Sequence, residues 1–166
     1  MPTTKPRAKR PRSSRIAVQR TVAGAPSPAA LRAYAAVAVG RGDVTLRVVG
    51  AAEARRLNAR FRGRDYAPNV LSFPYGGDAG DVVLCHPVVA RQARAQGKRL
   101  HAHYAHMVVH GVLHLRGYDH LRRADALRME AREIRLLRRL GFANPYLLPP
   151  EPGPRRADGR IGRSPR

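Results

Sequence analysis

A small α+β domain, with one mixed sheet of about four strands packed with helices, is the fold this sequence predicts. Three observations point there. Short β-rich runs alternate with helical patterns through the first half, the second half has an almost wholly helical period, and 166 residues is about one domain's length. No internal repeat is present.

The elements follow in order. "RIAVQRTV" (15–22) reads as a strand. "SPAALRAYAAVAV" (27–39) opens with Ser27 as N-cap and Pro28 at the first helical position, and so predicts a helix. "DVTLRVV" (43–49) alternates as a strand, and "AAEARRLNARF" (51–61) returns to a helical pattern. "NVLSF" (69–73) and "GDVVLCH" (80–86) are strands separated by the turn "PYGGDAG". Pro87 opens a helix that Gly97 closes. A longer helix runs from about Arg99 to Arg116, and a last one from about Asp125 to Leu140, ended by Gly141. The last helix is expected to place Leu127, Ala131, Ile134 and Leu137 on one side, with Arg128, Arg132, Arg135 and Arg139 on another. Residues 1–14 and 150–166 are rich in Pro, Arg, Gly and Ser, the composition of disordered basic tails flanking a domain at 15–149.

Composition narrows the function. The formal charge is +21, and 29 of the 32 basic residues are arginine. Residues 1–16 hold six basic groups and no acid, and residues 151–166 hold five against two, so residues 17–150 still carry +12. A folded unit that basic repels itself unless it meets a polyanion: RNA, DNA or an anionic membrane. No apolar run approaches the roughly 20 residues of a membrane-spanning helix, and no apolar stretch of signal-peptide type follows the basic start. The single cysteine, Cys85, allows no internal disulfide. It reads as a small buried hydrophobe in a strand, compatible with a reducing cytoplasm.

The chemistry concentrates in "HMVVHGVLHLRGYDH" (106–120). His106, His110 and His114 recur at i, i+4 and i+8 and share one helix face. Neighbours can grip one ion. His106 and His114 cannot share it, being about 12 Å apart along the axis at 1.5 Å per residue, while zinc–nitrogen bonds are about 2.0–2.1 Å. A third ligand must come from chain that has left the helix. Gly117 supplies the exit and His120 follows it, giving His110-x3-His114-x5-His120 as a three-histidine site at the end of a central helix. Three neutral imidazoles suit Zn²⁺ and leave a position open for water, the catalytic arrangement. His106 is then a neighbour of the site, and His101 and His103 lie outside it. The spacing also occurs in HExxHxxGxxH zinc proteases, whose general base is the glutamate after the first histidine. Here that position is Gly111, which argues against a peptidase of that kind.

These residues carry a family resemblance. "AHYAHMVVHGVLHLRGYDH" resembles the HGxLHLxGYDH signature of the YbeY family of bacterial zinc-dependent endoribonucleases and rRNA maturation factors. "LNARFRGRDYAPNVLSFPY" (57–75) is similar to that family's second motif, "GDVVLC" to a strand of it, and "LGFANPY" (140–146) to its C-terminal ending. The resemblance implies one zinc on His110, His114 and His120, and Arg62 as the activity-determining arginine. Composition alone leaves Arg60 and Arg64 as its rivals. It implies single-stranded RNA as substrate, in 3′ end maturation of 16S rRNA and in ribosome quality control; RNA and the ribosome rather than DNA or a membrane are the expected partners. No residue declares itself as general base, and Asp119 is a candidate for orienting a ligand. One departure stands out: the family's Pro-Thr-Asn or Pro-Thr-Asp loop is here Ala67-Pro68-Asn69, so a proline replaces a hydroxyl and a backbone donor. The rival from another class is a non-catalytic, RNA-binding ribosome-assembly factor with structural zinc.

Overall fold

The structure, a computed structural model, describes residues 14–147. Of the tails expected at 1–14 and 150–166, all but Ser14 lie outside the described residues, and Ser14 Oγ donates to the Gly40 carbonyl at 2.6 Å. In chain order the elements are β1 (Ile16–Arg20), α1 (Pro28–Ala36), β2 (Val44–Val49), α2 (Ala51–Arg62), β3 (Val70–Gly76), β4 (Ala79–Cys85), α3 (His86–Ala95), α4 (Leu100–Leu115) and α5 (Arg123–Arg139). The α+β class and the four-stranded mixed sheet are as expected. Strand order is β1-β2-β4-β3, with β1, β2 and β4 parallel and β3 antiparallel to β4.

The sheet is covered on both faces, and the central strand's sequence shows why. In β4 the run Val82-Val83-Leu84-Cys85 is buried throughout. Alternate side chains enter opposite cores: Val82 and Leu84 join Leu46, Val48 and the apolar faces of α1, α4 and α5, while Val83 and Cys85 join Leu71, Ala54 and Val88 on the side of α2 and α3. Cys85 is buried as expected, and burial raises its thiol pKa. Ser27 Oγ accepts from Ala30 N at 3.1 Å, so α1 starts at the predicted cap.

Two expectations need correction. The turn predicted over 74–80 is shorter: Gly76 pairs with Ala79, and Gly77 and Asp78, with φ of 58° and 66°, form a two-residue loop between longer strands. Two consecutive positive φ values match the right-handed twist of a hairpin, so the pairing continues further than the glycine-rich composition suggests. In α5, of the expected face Leu127, Ala131, Ile134 and Leu137, only Leu137 is buried; Met129, Glu133 and Leu136 complete the buried face, while Leu127 is 57% exposed. The apolar stripe is rotated because one of its members is a buried glutamate.

Candidate metal centre

Helix α4 crosses the sheet with eleven buried residues, and its close approach depends on Gly111. A Cβ there would stand 2.5 Å from Val82 Cγ1 and 3.2 Å from Val70 Cγ2. Ser72 Oγ donates to the Gly111 carbonyl at 2.8 Å, pinning β3 to the same turn. The position that carries the general base in HExxH proteases is therefore turned into the sheet and has no room for a side chain.

The helix ends at Leu115, and Gly117, with φ of 87°, takes the left-handed conformation that lets the chain leave. His120 is thereby brought back beside His110 and His114. One ligand nitrogen from each of the three lies within 4.8 Å of the others, a group that could hold a metal ion. His110 Nε2 and His114 Nε2 are 3.1 Å apart. Two nitrogens on one tetrahedral zinc, at about 2.0–2.1 Å each, would be about 3.3 Å apart, so the donor set fits.

Protonation favours the same outcome. Burial, then the neighbouring His110 and His120, push the His114 pKa down to about 4, which keeps the ring neutral at pH 7. His110 is oriented from behind. Its Nδ1–H donates to Glu133 Oε1 at 2.6 Å, leaving the Nε2 lone pair to face the cluster. Glu133, on α5, is fully buried, and three donors converge on it. His106 Nε2 donates to Oε2 at 3.0 Å and the Tyr146 hydroxyl donates to the same oxygen. Burial raises the Glu133 pKa, but hydrogen bonds from His106, His110 and Tyr146 outweigh it and hold the carboxyl down to about 2.

His106 is thus a neighbour of the cluster that contacts Glu133. His101 bonds Tyr34 at 2.6 Å and His103 bonds Gln92 at 2.9 Å, both outside the site. Asp119 lines the cleft but accepts from its own turn, Leu121 N at 3.3 Å, and it is Glu133 that contacts a cluster histidine. Sequence reasoning missed Glu133. The available signal was a glutamate on the apolar stripe of a helix that must pack against α4.

The histidines open into a cleft of about 720 Å³, whose lining also includes Arg62, Arg64, Tyr66, Pro68 and Ser72. Arg62 is the last residue of α2, where the helix dipole favours a cation, and Gly63 (φ 67°) ends the helix after it. Arg62 Nη2 donates to the Ser72 carbonyl at 2.9 Å, so the guanidinium is anchored to β3 with its remaining donors available. Arg60 is not part of the lining; its guanidinium lies 5.2 Å from the centre of the Phe61 ring.

Comparison with known proteins gives a consistent picture. The sequence profile of the family described as endoribonuclease YbeY matches residues 18–141. Endoribonuclease YbeY of Aromatoleum aromaticum is 51% identical over 145 residues, covering 81% of this chain and 94% of its own. That of Thiobacillus denitrificans is 54% identical over 127 residues, covering 73% and 86%. The solution structure of TM1509 from Thermotoga maritima matches with a TM-score of 0.54 and 24% identity over 74% of this chain and 86% of the other, a likeness of fold. With the profile covering most of the described residues and identities above one half across nearly whole relatives, the chain belongs to the YbeY endoribonuclease family.

Proposed function

We propose that this chain is a zinc-dependent endoribonuclease that cuts single-stranded RNA. It works in the cytoplasm, in 3′ end maturation of 16S rRNA and in ribosome quality control. The observation that carries the reading is the meeting, in one cleft, of three convergent imidazole nitrogens and an arginine tethered to the adjacent strand. Relatives named as endoribonucleases support the choice of RNA, and a charge of +21 supports a polyanionic partner.

His110, His114 and His120 would hold the ion. Zinc supplies, when bound, the Lewis acidity that lets water act as a nucleophile near neutral pH. Glu133 fixes the His110 tautomer, and burial keeps His114 neutral. Arg62, with one nitrogen spent on Ser72, directs its other donors at a phosphate and offsets the charge that builds there in the transition state. A peptidase reading fares worse. Gly111 has no space for a base, and Arg62 occupies the Ser72 carbonyl on edge strand β3, where an extended peptide would add.

The test is metal analysis paired with single-turnover cleavage of a defined single-stranded RNA, on wild type and Arg62→Glu. Arg62→Glu keeps the zinc and loses cleavage, because a carboxylate repels the phosphate. Purified wild type that binds zinc and RNA yet never cuts would instead support the assembly-factor role.

A further inference from the structure

The cleft contains one aromatic ring whose position packing does not explain. The exposed aromatic side chains among the described residues are Phe61, Tyr66, Tyr75 and Tyr146. Phe61 packs edge-on against Phe73 at 5.3 Å, Tyr75 donates to Asp81 Oδ2 at 2.7 Å, and Tyr146 donates to Glu133. Tyr66 has no aromatic or hydroxyl partner among the described residues, is 52% exposed, and lines the cleft with Arg62 and Arg64.

Its backbone, by contrast, is fixed. Asn58, 2% exposed on α2, donates from Nδ2 to the Tyr66 carbonyl at 2.9 Å. The preceding residue, Asp65, is held by a two-pronged ion pair, with Arg55 Nε donating to Oδ1 at 2.7 Å and Nη2 to Oδ2 at 3.0 Å. A solvent-facing ring on an anchored loop, sharing its cleft with the arginines Arg62 and Arg64, has the makeup of a stacking platform beside a phosphate track.

Resting on the endoribonuclease reading, we propose that Tyr66 stacks on one unpaired nucleobase flanking the phosphate that Arg62 engages. The site thereby selects single-stranded substrate. A base inside a duplex is covered on both faces by its neighbours and has no face to offer, whereas an unstacked base does. Arg64, on the same loop, meets the adjoining phosphate.

The chain has no tryptophan, so Tyr66→Trp places a lone indole at the platform, which can be excited selectively over the remaining tyrosines. The full chain, with metal removed by chelator, is titrated with a short oligoadenylate and with a series in which each nucleotide in turn is abasic. The intact strand should quench the indole, and one abasic position should abolish the quenching. In parallel, Tyr66→Ala should weaken binding of the intact strand about tenfold, in line with the cost of losing one stacked base. It should barely affect the strand abasic at that position, and Tyr66→Phe should bind as wild type. Equal quenching by every abasic strand, or an equal loss on Tyr66→Ala for intact and abasic RNA, overturns the platform. Tyr66→Phe behaving as Tyr66→Ala overturns it too, since the hydroxyl would then matter rather than the ring. If wild type binds and cuts RNA while these variants show no coupling, only the platform fails. If wild type neither binds nor cuts RNA, the endoribonuclease reading fails with it.

Discussion

Glu133 collects hydrogen bonds from His106, His110 and Tyr146 at a point fully removed from solvent. A carboxylate there can only accept, so the proton on His110 is confined to Nδ1 and the ligand lone pair to Nε2. Glutamine would place an amide donor against at least one of these donors. Glu133→Gln should therefore weaken zinc binding about 10- to 100-fold, the usual consequence of losing such a partner, as read by competition with a chromogenic chelator. His106→Gln, which retains a donor toward Glu133, should bind zinc as wild type. The three cluster histidines were legible in the sequence because imidazole is scarce and helical spacing fixes which rings share a face. Arg62 was not separable from Arg60 and Arg64 by spacing. Only the course of the chain after α2 shows that Arg62 and Arg64 line the cleft while Arg60 lies against Phe61.

At the scale of elements, capping and alternation carried most of the reading. Ser27-Pro28 begins α1, and Gly117 ends the α4 segment with the left-handed turn expected of it. The failures were of a different kind. Glu133 lies thirteen residues beyond His120, and its partnership with His110 exists only because α5 packs on α4. Glu133 is buried on a helix face where hydrophobic periodicity predicts apolar residues, and the observed face is offset from Leu127, Ala131 and Ile134. Gly111 is the converse case. Its lack of a side chain was read as a missing base, but its structural reason is contact with Val82, which the sequence does not reveal. Gly111→Ala should force α4 off the sheet and cost about 1–3 kcal/mol, typical of overpacking. Urea unfolding of the metal-free protein measures this; an unchanged midpoint would show that the sheet yields without strain.

For the whole molecule, a charge of +21 on 166 residues means that RNA binding should be strongly salt-dependent. Each phosphate engaged adds about 0.7 to the slope of log affinity against log salt for single strands. Arg64→Ala should reduce that slope by about one such increment; a slope near zero in wild type would mean that the basic surface is not the binding surface. The α+β architecture places α4, β3 and the end of α2 around a single opening, and the central claim is that the histidines there hold one zinc needed to cut RNA. It is tested most directly by measuring zinc stoichiometry and single-turnover RNA cleavage together for wild type and His114→Ala, before and after chelation. Wild type should carry one zinc per chain, lose cleavage with it and regain both on zinc addition, while His114→Ala should have neither. A chelated His114→Ala protein, free of contaminating ribonuclease, that still cut RNA at the wild-type rate would contradict the claim.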